Sequence, residues 1–458
     1  MESQNDVALV MVPLPAQGHL NQLLHLTRLI SSRKLPVHFI GSSTHNRQAK
    51  SRLHGCNLPS NIHFHDFPFP QSITPPADPN SSNKFPSHLV HTFNAAIDNL
   101  REPLGVLLRE LAERYRRVVV VHDSLMAFAA EEASFVENAE AYGFIGCSAF
   151  GVLHFIWASL GEPADEDGNI LPKDVPRVSF PDCFGEGFQE LFDRNSQWLQ
   201  YSLGNIYDTC EALEGRFINI VSQFQKDKQL WAVGPFNPVG FKSEAGSRHD
   251  CLEWLDKQPP KSVIYVSFGT MTSISDNQIA EIAIGLERSK QKFLWVVRDA
   301  DRGDIYDGEI RKIELPSGFE ERMKGVGIIV RDWAPQLEIL AHKSTGGFMS
   351  HCGWNSSMES LSMGVPIVAW PMHSDQPRNA LLITEILKVG VMVREWVRRE
   401  ELISSEDIER SIRQLMVSDE GNIMREKARD LAVNVCRAIS DGGTSIAQLE
   451  SFISHISR

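Results

Sequence analysis

From Val7 the chain reads Val-Ala-Leu-Val-Met-Val, an apolar run too short for a helix and closed by Pro13 and Pro15. That pattern predicts a strand buried on both faces. The period then changes. From about His19, apolar residues fall at Leu20, Leu23, Leu24, Leu26, Leu29 and Ile30, the broad face of an amphipathic helix. Further apolar, β-branched runs at Pro36–Gly41 and Val118–Val121 continue the alternation. Strands and helices in this order imply right-handed crossovers and a mostly parallel sheet covered by helices.

The pattern stops between Pro235 and Arg248 (PFNPVGFKSEAGSR), a stretch rich in Pro, Gly and Ser that reads as a linker. It resumes afterwards. Strands are predicted at Val263–Phe268, Phe293–Val297, Gly327–Arg331, Gly347–Ser350 and Pro366–Trp370, with helices between them. Ser275 and Gln278 have the spacing of a capping box, ahead of a helix whose buried face is Ile279, Ile282, Ala283 and Leu286. Thr444–Ser457 is again amphipathic. The expected organisation is an α/β domain over 1–235, a linker over 236–249, a second α/β domain over 250–440 and a tail helix over 441–458 packing back on the first domain. Phe69–Lys84, Gly161–Val175 and Asp299–Pro316 read as long surface loops. Two such domains leave a cleft between the carboxyl ends of their strands, where ligands of open α/β sheets bind.

At 458 residues the chain is long enough for two domains, and 42% hydrophobic with 22% charged residues is ordinary globular composition. A net charge of -13 argues against a nucleic-acid partner, which requires clustered Lys and Arg. Seven cysteines without a CxxC pair fit a reducing compartment. No apolar stretch reaches the roughly 20 residues of a membrane span. Met1–Asp6 carries no basic residue, and the prolines after Val12 break any signal-peptide core, so the expected location is cytoplasmic.

Four strand ends carry candidate chemistry. Gly347–Ser350 runs into His351-Cys352-Gly353-Trp354-Asn355-Ser356 and a helix predicted from about Ser356 to Met363; free backbone N–H groups at such a helix start suit a diphosphate. Ser267-Phe268-Gly269-Thr270 follows a second buried strand, although alone it reads as a plain strand-to-helix turn. Pro15-Ala16-Gln17-Gly18-His19 follows the first strand and is not the GxGxxG of a dinucleotide fold. His19 there can act as a general base facing the cleft, or merely cap the helix. Asp123, ending the strand that begins at Val118, can orient that imidazole, or cap the turn after it. His122 beside it points to the opposite face by strand alternation.

The stretch Trp333–Gln376, WAPQLEILAHKSTGGFMSHCGWNSSMESLSMGVPIVAWPMHSDQ, resembles over its full 44 residues the signature box of plant secondary-product UDP-glycosyltransferases. The rest of the chain looks most like the zeatin O-glycosyltransferase branch. That resemblance implies a GT-B architecture: an acceptor-binding N-terminal domain facing a UDP-sugar-binding C-terminal domain. It implies phosphate contacts from His351, Asn355 and Ser356, with Thr270 and Ser267 adding to them. Trp333 would stack on uracil, with Gln336 at the nucleoside, Glu359 on the ribose, and Asp375 and Gln376 at the sugar; Ala334 and Trp354 are counted with the same UDP-sugar site. His19 and Asp123 match the family's catalytic pair. UDP-glucose is a co-substrate rather than a cofactor, and no metal is expected; the chain is expected to act as a monomer.

Phe85, His88, Phe150, Phe155, Trp157, Phe188 and Phe192 are candidate acceptor-pocket residues. The acceptor, zeatin or a flavonoid or other phenol, is left open, as are UDP-xylose as donor and the atom glycosylated. Two rivals remain. One is a metal-dependent transferase using Asp165-Glu166-Asp167 or Asp299-Ala300-Asp301 as a clamp; the other is a catalytically silent UDP-sugar-binding protein.

Overall fold

The computed structural model of the protein describes residues 6–51, 59–68, 77–164, 168, 170–238, 248–299 and 311–458. The first sheet holds β1 (Val7–Val12), β2 (Val37–Gly41), β3 (Ile62–Asp66), β4 (Arg117–Asp123), β5 (Ala139–Ile145), β6 (Ser202–Tyr207) and β7 (Gln229–Ala232), in the order β3-β2-β1-β4-β5-β6-β7. The second holds β8 (Val263–Ser267), β9 (Lys292–Val296), β10 (Gly327–Val330), β11 (Thr345–Ser350), β12 (Ile367–Ala369) and β13 (Gly390–Met392), in the order β10-β9-β8-β11-β12-β13. The pairings are parallel. In each sheet the order reverses beside the first strand, with β1 between β2 and β4 and β8 between β9 and β11. Those are the switch points at which a crevice opens beyond the strand ends.

Every residue of β1 is buried, which explains its unalternating composition. Helix Gln17–Ser31 begins two residues before the predicted start, because Ala16 holds an extended conformation at its N-cap and the turn is already helical at Gln17. Its Leu20, Leu23, Leu24, Leu26 and Ile30 pack with Met11, Phe39 and Val121 against the sheet. Each such side chain contributes about 1.5–3 kcal/mol by burial, so the helix that carries His19 is held firmly in place.

The second sheet differs from expectation at its ends. Phe268, Val297, Arg331 and Trp370 lie just beyond their strands, in the turns that build the cleft. The helix predicted from Ser356 starts at Trp354. The capping box is half formed. Ser275 Oγ accepts from the Gln278 backbone N–H, but the Gln278 amide instead exchanges two hydrogen bonds with the backbone of Ile403, each 2.9 Å. A buried peptide with no ladder partner claims that side chain.

The two halves share a hydrophobic cluster. Phe150, Phe217 and Val221 pack with Trp354, Met358 and Val435. The chain also returns to where it began: helix Thr444–Ile456 lays Leu449, Phe452 and Ile456 onto the first sheet, with the Phe452 ring 5.2 Å from Trp231 and 5.3 Å from Tyr142. Most of the predicted linker, residues 239–247, lies outside the described residues.

Candidate active site

β1 and β4 are neighbours in register, Val12 opposite His122, so their carboxyl ends bring Asp123 to the start of helix Gln17–Ser31. The His19 Nδ1 lies 2.6 Å from Asp123 Oδ2. Asp123 is buried, its other oxygen accepting from the Leu125 N–H, and His19 is partly open to the cleft. With Nδ1–H donating to the carboxylate, Nε2 is the basic nitrogen. Burial pulls the imidazole pKa down, but the Asp123 charge and hydrogen bond, with Asp375 adding from the other half, outweigh it and raise it above 6.5. His122 faces away, bonded to Ser202 Oγ at 2.8 Å, and burial holds it neutral with a pKa of about 4.

Across from His19 a cavity of about 400 Å³ is lined by every residue named above for the UDP-sugar, and by His19 itself. The His351 ring sits between two glycines. A Cβ on Gly269 would come within 2.7 Å of its Nε2, and one on Gly353 within 2.5 Å. Gly269 also has φ of +77°, so both the SFGT and HCGW turns need glycine to admit that ring. Burial lowers the His351 pKa to about 4, and its Nδ1 has no partner among the described residues. A neutral imidazole with an unspent buried nitrogen suits a hydrogen bond to an anionic ligand.

Other box residues reach further than sequence reading suggested. The Asn355 amide donates to the Gly18 carbonyl at 2.7 Å, and the Trp354 indole donates to the Asp208 carbonyl at 2.7 Å. Both fasten the helix start to the opposite domain, the first of them next to His19. Gln336 donates to Ser356 Oγ and to Glu359 Oε2 and accepts from the Tyr265 hydroxyl. Burial raises the Glu359 pKa to about 7. Tyr265 lines the cavity and was missed, although alternation along β8 puts it on the same face as Ser267. Trp333 is 44% exposed at the rim. Gln376 is buried; its Oε1 accepts from the N–H groups of Met372 and His373, and its NH2 lies 3.2 Å from the His373 ring, which leaves one amide hydrogen for a ligand.

The acceptor candidates divide. Phe150 and Trp157 are core residues, 0% and 3% exposed, and the Trp157 indole is spent on the Pro163 carbonyl. The expectation that they face a ligand is corrected: their helix, Ala149–Ser159, is apolar on nearly all sides and is buried accordingly. Phe85, Phe155 and Phe188 instead cluster around Phe184, which was missed and stacks on Phe188 at 3.9 Å. Phe85 meets His373 of the cavity wall edge-on, and His88 lies close enough to His373 to depress its pKa further. Phe192 is exposed, with its ring 6.2 Å from Phe188 at the edge of the cluster.

Of the proposed metal clamps, residues 165–167 and 300–301 lie outside the described residues. Asp299 accepts from Ser273 Oγ at 2.6 Å and pairs with Arg311, so its charge is already engaged. No described helix is long and apolar enough to cross a membrane.

Two parallel α/β domains meeting over a phosphate-sized helix start, with a basic imidazole opposite, constitute the GT-B layout of nucleotide-sugar-dependent transferases. Residues 5–238 match the family model described as glycosyltransferase, N-terminal domain, and residues 240–429 match UDP-glucoronosyl and UDP-glucosyl transferase. The chain belongs to this UDP-glycosyltransferase family. It is 49% identical over 458 residues to a zeatin O-glucosyltransferase of Phaseolus lunatus, covering 99% of this chain and 98% of that protein. It is 47% identical over 461 residues to a zeatin O-xylosyltransferase of Phaseolus vulgaris, covering 100% of both. The crystal structure of a Medicago truncatula glycosyltransferase complexed with UDP-glucose superposes with a TM-score of 0.78 at 26% identity, covering 100% of both chains.

Proposed function

We propose that the protein transfers glucose from UDP-glucose to the side-chain hydroxyl of zeatin, with inversion at the anomeric carbon. The observation that carries the reading is the His19–Asp123 pair at the mouth of the cavity lined by His351 and Asp375. His19 Nε2 takes the acceptor's hydroxyl proton; the oxygen bonds to the anomeric carbon from the face opposite UDP; the bond from that carbon to the phosphate oxygen breaks. The α-linked donor then yields a β-glycoside, by the far-face geometry of inverting glycosidases. Asp123 fixes the tautomer and stabilises the imidazolium. Charge growing on UDP meets the backbone N–H groups at the start of helix Trp354–Ser362 and a hydrogen bond from His351. Trp333 stacks on uracil, Glu359 accepts from the ribose, and Asp375 and Gln376 hold the sugar hydroxyls.

Zeatin is favoured as acceptor by the 43–49% identity to zeatin glycosyltransferases over the whole chain, and Phe85, Phe155, Phe184 and Phe188 offer an aromatic wall for a planar ring. The test is incubation with UDP-glucose and UDP-xylose against zeatin and a panel of flavonoids and phenols, with products identified by mass and anomeric coupling. A β-glucoside of zeatin is expected. Preference for a phenol, or for xylose, overturns the acceptor or donor assignment; binding of UDP-glucose without any transfer overturns the catalytic reading.

A further inference from the structure

Two turns border the sugar end of the cavity, and each contains a non-glycine residue in the left-handed region: Cys352 at φ +64° and Ser374 at φ +57°. Such a conformation costs free energy and persists only where neighbouring groups hold it. One fully buried side chain reaches both turns. Asn379, on helix Gln376–Leu381, donates one amide hydrogen to the Cys352 carbonyl at 3.0 Å and the other to Asp375 Oδ2 at 2.8 Å. Its Oδ1 accepts from Ser148 Oγ at 2.9 Å.

Ser148 belongs to the other half, where it caps helix Ala149–Ser159 by accepting from the Gly151 N–H. Its hydroxyl proton is therefore the one given to Asn379. Both acceptors of the Asn379 NH2 are oxygen atoms that cannot donate, so the amide has one satisfiable orientation. Neither the mechanism above nor the signature box, which ends at Gln376, uses this residue.

We propose that Asn379 is a positioning residue for the donor sugar, setting the orientation of the Asp375 carboxylate against the phosphate-binding turn, and that Ser148 fixes Asn379 from the acceptor half. The inference rests on the reading that Asp375 holds the sugar hydroxyls. Asn379 touches no ligand itself; it acts through Asp375. Because UDP lacks the sugar, loss of this function separates UDP-glucose from UDP.

Asn379→Asp keeps the volume but sets a carboxylate against an acceptor carbonyl and a second carboxylate. Relative to wild type it is expected to raise KM for UDP-glucose on the order of tenfold, the effect of losing one charge-assisted hydrogen bond. UDP affinity measured by calorimetry is expected to stay within about twofold. The KM defect should grow as pH rises and the paired carboxylates lose the proton they share. Equal weakening of UDP and UDP-glucose would show a merely structural role and overturn the proposal, as would no change in either. Ser148→Ala, which removes one hydroxyl, serves if Asn379→Asp does not fold: the same selective rise, about threefold, supports the proposal, and an unchanged ratio overturns it. Wild-type turnover of UDP-glucose in the same assay separates this outcome from failure of the functional reading.

Discussion

His19 and Asp123 stand 104 positions apart in the chain and 2.6 Å apart in space, joined because β1 and β4 are adjacent parallel strands ending at the same level. The pair is built wholly within the first domain, whereas the helix start and the turns proposed to hold UDP belong to the second.

His19→Ala should therefore lower kcat on the order of a hundred- to ten-thousandfold, while UDP affinity by calorimetry changes little. Loss of UDP binding to the same degree as turnover would assign His19 to donor binding instead.

The base must be neutral to work, so the rate should fall as pH drops through the His19 pKa, placing the acid limb of kcat/KM above 6.5. Asp123→Asn removes the charge that opposes desolvation. The limb should then move to lower pH and the plateau rate should fall as well. A limb that stays in place while the plateau falls would leave Asp123 only an orienting role.

Phe188→Ala and Phe150→Ala should behave oppositely. Phe188 belongs to the cluster beside the cavity wall, and its loss should raise acceptor KM roughly two- to tenfold, with donor KM unchanged. Phe150 is core, and its truncation should cost about 3–5 kcal/mol in denaturant unfolding. An acceptor effect from Phe150 at intact stability would reinstate it as a pocket residue.

His154 is wholly buried among Phe150, Trp157 and Phe180, and among the described residues neither ring nitrogen has a well-aligned partner. Burial, with Arg378 nearby, depresses its pKa to about 3. For a histidine depressed in the folded state, the unfolded chain binds the proton first, so stability is lost as pH falls from 6.5 towards 3, by about 1.4 kcal/mol per unit. His154→Leu should raise stability at pH 7 by about 1–3 kcal/mol, and its advantage should widen at pH 5. Parallel urea curves at the two pH values check both parts; an advantage that narrows on acidification would refute the account.

Turnover should survive exhaustive treatment with EDTA. Inactivation that added magnesium or manganese reverses would return the clamp beginning at Asp299 to consideration, despite the hold of Ser273 and Arg311 on that carboxylate.

The strands were legible because buried parallel strands leave unbroken apolar runs, and helix Gln17–Ser31 because its leucines keep a helical period. His19 and Asp123 were legible because each follows such a run. Asn379 was not. Its significance lies in hydrogen bonds to Cys352 and Ser148, which are 27 and 231 positions away, and no local period records such pairings. Phe150 and Trp157 failed for a related reason: an aromatic residue looks the same in sequence whether it lines a cavity or fills a core. Gln278 kept the capping spacing, but the peptide of Ile403 outbid its helix for the amide.

The return of helix Thr444–Ile456 to the first sheet means that the halves are stitched at two places. Polypeptide passes from one to the other after the strand Gln229–Ala232 and returns ahead of Thr444. A protease cut in the first crossing would leave fragments clasped together, because the later one keeps Phe452 inserted against Trp231 and Tyr142 in the earlier.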